Sequence, residues 1–221
     1  MRWLAIACVL GVACGDNAHG AADAARVPDA APDALAQPDL ALVGSQMDGT
    51  TSIDVATFGS ADCEVVDGCV GGAGARTLLR FDTVAENVGT ADLDLGAKPP
   101  AGSSAGYYQW DTCAGKHLVI GYVTQTVSDA TGAVVATGHK EAFCLEDTEQ
   151  VEPRASHDYT CDHMGISVGW ADVYPHDTSC QWVDVTGLGS GTYTLTVTVD
   201  PNNALPDANP ANNAWTTAIT L

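Results

Sequence analysis

Short runs of strand-forming residues, broken at close intervals, constrain the fold of this chain more than any other feature. Val, Thr and Ile recur in brief alternating stretches separated by Gly, Pro, Asn and Asp. No long segment has the periodicity of an amphipathic helix. The pattern predicts an antiparallel all-β body with abundant loops.

Individual strands follow from the same pattern. Alternation is clearest in Gly191–Val199, and the segment from Lys116 to Val127 has strong β composition. A turn at 129–132 then leads into Ala133–Thr137, which predicts a hairpin. Arg76–Gly89 alternates well enough to predict one long strand.

The chain has three predicted parts. Residues 1–14 combine a basic start, a short apolar run and small residues before Cys14, which is typical of an export signal. Cys14 is either the lipidated first residue of a lipoprotein, which we favour, or a free thiol after ordinary cleavage. Residues 15–38 are almost wholly Ala, Asp and Pro and predict a disordered tether. Residues 39–221 form the folded domain, expected to be monomeric.

Charge limits the partners. The formal net charge is −20, with 28 acidic against 8 basic residues. So few cations do not neutralise a run of phosphates, which excludes nucleic acid as a partner. Cationic or lysine-rich proteins and polymers fit the charge, and membrane contact is expected only through a lipid anchor.

Six cysteines follow the leader: Cys63, Cys69, Cys113, Cys144, Cys161 and Cys180. An even number in an exported chain favours disulfides, although many pairings are compatible with the count. A cysteine-ligated zinc site is poorly supported because no Cys-x-x-Cys spacing occurs.

Three stretches resemble the catalytic domain of the lysyl oxidases. They are Gly138-His-Lys-Glu-Ala-Phe-Cys-Leu-Glu-Asp147, Asp172-Val-Tyr174 and Cys180-Gln-Trp-Val-Asp184. The resemblance, which covers about Asp39 to Leu221, implies a lysyl-oxidase-like antiparallel β-sandwich with long loops. It also implies the disulfides Cys63–Cys113, Cys69–Cys180 and Cys144–Cys161.

The same resemblance implies a redox cofactor. In this family Lys140 and Tyr174 would form the lysine tyrosylquinone, and copper would be held by a His-x-His-x-His strand. With Trp110-Asp-Thr-Cys113 as the anchor, the three copper positions are Ala114, Lys116 and Leu118. Two of these carry no metal donor, and an ammonium group repels a divalent cation.

A calcium site is better preserved. Asp207-Ala-Asn-Pro-Ala-Asn-Asn213 resembles the family's calcium loop, completed by Asp39 and the Leu40 carbonyl. By this comparison the ligands are Asp39, Leu40, Asp207, Asn209, Asn212 and Asn213. Carboxylates and carbonyls are the hard oxygen donors that calcium takes.

Two functions are compatible with these features. The first is a catalytically degenerate lysyl-oxidase-like domain that acts as an extracellular binding or structural module, lipid-anchored to the cell envelope or released. The second is an active copper and quinone amine oxidase with a rebuilt copper site, which deaminates peptidyl lysine to an aldehyde and releases peroxide and ammonia. A hydrolase has no motif in its favour.

Overall fold

The computed structural model describes residues 35–139, 142–153 and 157–221, with the backbone alone at 142 and 143. The predicted leader, Cys14 and most of the predicted tether lie outside the described residues. Gln37 and Pro38 already belong to the folded body, since their carbonyls accept hydrogen bonds from the N–H groups of Thr90 and Ala208, both at 2.9 Å. Among the described residues, no helix has the length and apolar character needed to cross a membrane.

The described residues form sixteen strands, two four-residue α-helices and one 3₁₀ turn. The strands are Leu40–Leu42 (β1), Ser52–Phe58 (β2), Gly74–Arg80 (β3), Thr83–Asn87 (β4), Leu93–Ala97 (β5), Tyr108–Asp111 (β6), Lys116–Val119 (β7), Val123–Ser128 (β8), Val134–Gly138 (β9), Ala142–Phe143 (β10), Glu149–Gln150 (β11), His163–Ile166 (β12), Trp170–Tyr174 (β13), Trp182–Asp184 (β14), Thr192–Val199 (β15) and Ala214–Thr220 (β16). The helices are Gly44–Met47 (α1) and Cys63–Val66 (α2), and the 3₁₀ turn is Pro210–Asn212.

The strands pair antiparallel throughout, as the sequence predicts. They form five small sheets with the strand orders β1-β4-β13-β11, β10-β7-β6, β12-β5, β14-β3-β2 and β16-β15-β8-β9. The prediction of an all-β fold is therefore confirmed. The β8–β9 hairpin is confirmed as well, and its turn closes through a hydrogen bond of 2.9 Å from Gly132 N–H to the Asp129 carbonyl.

Two cores form because alternate residues of a strand face opposite sides. On β3, Leu79 enters the main core and Leu78 enters a smaller one; on β14, Val183 and Trp182 divide in the same way. The sheet of β14, β3 and β2 is therefore packed on both faces. Each fully buried side chain of this size contributes roughly 1.5–3 kcal/mol through removal of apolar surface from water.

The prediction of one long strand at 76–89 is wrong, because the chain leaves one sheet at Arg80 and enters another at Thr83. Where the strand hydrogen bonds are interrupted, a side chain distant in sequence supplies hydrogen bonds instead. Gln181 donates from Nε2 to the Phe81 carbonyl at 3.0 Å and to the Thr83 hydroxyl at 2.6 Å. The predicted strand from Lys116 to Val127 also divides, at Gly121, whose φ of 64° lies in the left-handed region.

Three disulfides connect the loops: Cys63–Cys113, Cys69–Cys180 and Cys144–Cys161. These are the pairs that the family resemblance implies. In the loop-entropy model each contributes about 3–5 kcal/mol by restricting the unfolded chain. The first of them fixes α2 against the turn between β6 and β7, which builds one wall of the candidate site.

Candidate functional site

The three positions where the resemblance implies copper ligands lie in one place. Ala114, Lys116 and Leu118 all line a cavity of about 60 Å³, together with Asp67 and Asp111. The arrangement follows from the β6–β7 hairpin, in which Asp111 pairs with Lys116 across a short turn. Lys116 and Leu118 are alternate residues of β7 and share a face, and Ala114 lies in the turn before them.

Two carboxylates, those of Asp67 and Asp111, line this cavity. Asp111 is buried, and its Oδ1 accepts hydrogen bonds from the N–H groups of Cys113 (2.8 Å) and Ala114 (3.1 Å). Its Oδ2 is buried without a hydrogen-bond partner. Burial and the negative charge of Asp111 raise the pKa of Asp67, while electrostatic interactions with His139 and Lys116 act to lower it. The Lys116 ammonium and the Asp67 carboxylate therefore interact electrostatically at this cavity.

Copper does not fit these residues. Ala114 and Leu118 line the cavity without offering a donor atom, and the ammonium of Lys116 has no lone pair with which to bind a metal. In the described part of the chain, two groups of three potential ligand atoms occur, Cys63–Asp67–Cys113 and Cys144–Glu146–Cys161. Each consists of a disulfide and one carboxylate, so neither supplies a thiolate.

Four of the five described histidines are engaged elsewhere. His117 lines a neighbouring cavity, and its Nε2 lies 3.0 Å from the Ser103 carbonyl, to which it donates. His163 contacts Asp94 at 2.6 Å and His176 contacts Asp82 at 2.7 Å. His157 packs against the Trp170 ring with centroids 5.1 Å apart. These contacts hold four of the five described imidazoles apart.

Tyr174, the phenol half of the implied quinone pair, ends β13 and is buried. Burial raises its pKa well above the ordinary value, and the Asp172 carboxylate, two residues earlier on the same face, adds to the shift. Tyr122 is fully buried nearby; burial and the charges of Asp172 and Asp200 raise its pKa in the same direction. Tyr174 therefore stays a neutral phenol at physiological pH.

Lys140 lies outside the described residues. The strand that leads to it is described as far as His139, and its last residue, Gly138, lies against β14. A Cβ on Gly138 would meet the Gln125 side chain and would lie 2.9 Å from the Trp182 carbonyl. This close approach explains why glycine precedes the segment that carries Lys140.

The residues of the implied calcium loop also come together. Asn212 donates from Nδ2 to Asp39 Oδ1 at 2.9 Å, and Asn213 donates from Nδ2 to Asp207 Oδ2 at 2.7 Å. The Asn209 N–H donates to Asp207 Oδ1 at 3.0 Å. The other amide atoms, Asn212 Oδ1 and Asn213 Oδ1, are buried without a hydrogen-bond partner. Orphaned buried oxygens beside two carboxylates form a donor set that fits calcium.

Trp182 supports the structure around these sites. Its Nε1 donates to the Cys69 carbonyl at 3.0 Å, and the Arg80 guanidinium lies 4.5 Å from the ring centroid. It belongs to the smaller core with Cys180, so its role is packing.

Sequence reasoning missed the acidic and phenolic members of the site. Asp111 is part of the Trp-Asp-Thr-Cys anchor, but nothing in that motif indicates that its carboxylate faces the cavity. Asp172 lies in the Asp172-Val-Tyr174 stretch, but that motif did not indicate a role for its carboxylate beside the phenol. Asp67 and Tyr122 gave no signal, because Asp67 is brought to the site by a disulfide and Tyr122 by the packing of distant segments.

Comparison with known proteins identifies the same family as the motifs of this sequence. The family model described as lysyl oxidase matches residues 60–221. Lysyl oxidase homolog 3B of Danio rerio is 34% identical over 188 residues, covering 80% of this chain. Lysyl oxidase homolog 3 of Homo sapiens is also 34% identical, and lysyl oxidase homolog 2 of Homo sapiens is 31% identical, over the same share of the chain.

The match covers 22% of the zebrafish protein, and 24% and 23% of the two human proteins, so this chain spans about a quarter or less of their length. The matched region contains the six cysteines that form disulfides, the three stretches that carry the resemblance and the C-terminal Asn-Asn pair. The chain belongs to the lysyl oxidase family.

Proposed function

We propose that this domain is a catalytically silent lysyl oxidase that acts outside the cell as a binding or structural module. The observation in its favour is the cavity where Ala114, Lys116 and Leu118 converge with Asp67 and Asp111. Lys116 shares this cavity with two carboxylates, and the other two implied copper positions end in methyl groups. The family resemblance implies copper and lysine tyrosylquinone as cofactors, but we expect neither in this domain.

The proposal leaves Tyr174 and Lys140 as an ordinary phenol and amine. Burial holds the Tyr174 phenol protonated, and this chain offers no imidazole set beside it among the described residues. Tyr174 persists as part of the packed interior.

Calcium is the metal we propose for this domain. Asp39, Asp207, Asn209, Asn212 and Asn213 with the Leu40 carbonyl would hold it, joining the first strand to the loop before β16. The two orphaned amide oxygens support this assignment. Bound calcium would supply charge compensation for Asp39 and Asp207 and would link the ends of the domain.

We further propose export with lipidation at Cys14, action as a monomer, and cationic, lysine-rich proteins or polymers as partners. Three disulfides suit an oxidising compartment. The net charge of −20 would attract polycations over about a Debye length, some 8–10 Å at physiological salt.

An activity assay tests the silent-enzyme proposal. The protein would be matured with copper in oxygenated buffer, then assayed for peroxide release from a lysine-rich peptide and stained for quinone after electrophoresis. We expect neither signal above that of the Tyr174→Phe variant. Peroxide release together with a positive stain would show a working amine oxidase with a rebuilt copper site.

A binding assay tests the partner class separately. We expect poly-lysine to bind at low salt and to be released as sodium chloride is raised towards 1 M, where the Debye length is about 3 Å. Binding that is equally strong at high salt, or binding of poly-glutamate in preference, would contradict the assignment of a cationic partner.

A further inference from the structure

A second cavity adjoins the one that replaces the copper site, and Lys116 lines both. This second cavity measures about 320 Å³. Apolar groups form much of its wall: Pro99, Trp110, Met164 and the Cys144–Cys161 disulfide. We call it the lysine cavity. Its volume lies at the lower end of the range that small organic ligands occupy.

The charge of the lysine cavity is opposite to that of the chain. Of the eight Lys and Arg residues, the described part contains Arg76, Arg80, Lys98 and Lys116. Lys98 and Lys116 both line this cavity. Within the described residues, the lining includes no carboxylate, although acidic residues outnumber basic ones by 28 to 8.

Four carboxylates adjoin the lining without being part of it. Asp67 and Asp111 line the neighbouring cavity with Lys116, and Glu146 and Asp162 already have hydrogen-bond partners. Glu146 accepts a hydrogen bond from the Cys161 N–H at 3.1 Å. Asp162 accepts one from Lys98 Nζ at 2.7 Å, and its side chain is 91% exposed. Exposed ion pairs of this kind contribute little net free energy. A ligand carboxylate that enters the cavity can therefore replace Asp162 as the partner of Lys98 at small cost.

The aromatic wall is held in place by a buried histidine. Trp110 packs edge-on against His117, with ring centroids 4.9 Å apart, and His117 is fixed by its hydrogen bond to the Ser103 carbonyl. A positioned indole provides a flat apolar surface against which a planar ring can stack.

We propose that the lysine cavity is a binding site for a small organic carboxylate with a planar apolar body. The ring packs between Trp110, Met164 and the disulfide, and the carboxylate is bound by Lys98 and Lys116. This site shares Lys116 with the position implied for copper, but it requires neither copper nor Tyr174.

The test uses a matched pair of probes, indole-3-acetate and its neutral isostere indole-3-acetamide, with the full folded domain at low salt. Saturation-transfer NMR detects contact and isothermal titration calorimetry measures affinity. We expect the acid to bind with a Kd of about 1 mM or tighter, the usual range for a ligand of this size, and the amide to bind at least about tenfold more weakly. Equal affinities of the acid and the amide would overturn the proposal. So would the absence of binding by the acid at about 10 mM, roughly ten times the expected Kd.

Substitutions at the charged residues should change the affinity for the acid in opposite directions. Lys98→Met and Lys116→Met should each weaken binding of the acid about fivefold or more, the effect of losing one charge-assisted hydrogen bond. Asp162→Asn removes the competing carboxylate from an exposed position, so it should fold normally and tighten binding by about twofold to fivefold. Asp162→Asn should have no effect in the Lys98→Met background.

Glu149→Gln is the matched control, since it removes one negative charge from an exposed strand residue that does not line the cavity. It should leave the affinity unchanged. Tightening by Glu149→Gln equal to that by Asp162→Asn would show a general charge effect and would overturn the assignment of Lys98.

Discussion

At the scale of single residues, the replacement of the copper ligands is a change of charge type as well as a loss of donors. Three neutral imidazoles would leave room and lone pairs for a cation. Here the cavity contains its own cation, the Lys116 ammonium, which interacts with Asp67. Asp111 adds a second carboxylate whose Oδ2 is buried without a partner. Burying a carboxylate oxygen without a hydrogen-bond partner lowers the free energy of unfolding. The Lys116 ammonium opposes this effect by its attraction for the carboxylates of this region.

Gly138 is the residue where backbone packing beside the site is tightest. Replacement by Ala would place a Cβ against the Gln125 side chain and 2.9 Å from the Trp182 carbonyl. We expect Gly138→Ala to lower the free energy of unfolding by about 1–3 kcal/mol, the usual cost of overpacking, measured by chemical denaturation. Gly189→Ala is the control, because a Cβ there meets nothing within 4 Å; equal stability of the two variants would contradict this packing.

At the scale of elements, the start of the domain is joined to the loop before its last strand. The Ala208 N–H donates to the Pro38 carbonyl and Asn212 donates to Asp39. Neither segment is long enough to hold itself in place, so the contact depends on the polar cluster between them.

Calcium should strengthen this connection. We expect added calcium to raise the Tm and magnesium to do so much less, because the oxygen donors suit the larger ion. At a free concentration of about 100 Kd the linkage predicts about 2.7 kcal/mol of added stability. Asp207→Asn should abolish most of the increase. An unchanged Tm in calcium, with no ion bound in equilibrium dialysis, would remove the site.

A second element-scale contact holds the loop after α2 against β14. Asp184 accepts a hydrogen bond from the Gly71 N–H at 2.8 Å and lies 3.8 Å from the Arg76 guanidinium. Burial opposes ionisation, but hydrogen bonds from Gly71 and Thr186 and the charge of Arg76 hold the pKa of Asp184 below its ordinary value of 3.8. The ionised form is thus stabilised by folding.

A pH series tests this contact. Because the pKa is lower in the folded protein, the stabilisation from Asp184 is complete above pH 3.8 and disappears as the pH falls through the folded-state value. Asp184→Asn should therefore be less stable than the parent at pH 7, and the difference should shrink as the pH falls below 3.8 and through the folded-state pKa. A difference that is constant across this range would show that the carboxylate charge has no part in the contact.

At the scale of the whole molecule, the strand periodicity was sufficient to predict an antiparallel all-β fold, and the motif resemblance identified the family that the comparisons show. Local patterns did not predict where strands change sheets. The break at Phe81 and Asp82 is made possible by Gln181, a hundred residues away, which no local pattern connects with it.

The candidate site was also predictable only in part. The family resemblance was enough to identify Ala114, Lys116 and Leu118 as positions of one site, and in the structure all three line one cavity. The carboxylates around them were not predictable, because Asp67 reaches the cavity only through the Cys63–Cys113 disulfide. The lysine cavity combines segments from Lys98 to Met164, so its charge is visible only after folding.

Copper stoichiometry tests the central claim most directly. The purified domain and its Ala114→His/Lys116→His/Leu118→His variant would be exposed to copper, dialysed, and analysed by mass spectrometry for bound metal. The variant restores a His-x-His-x-His strand whose alternate side chains line one cavity, so we predict about one copper ion per chain in the variant and none held by the natural sequence. One tightly bound copper ion per chain in the natural sequence would contradict the account.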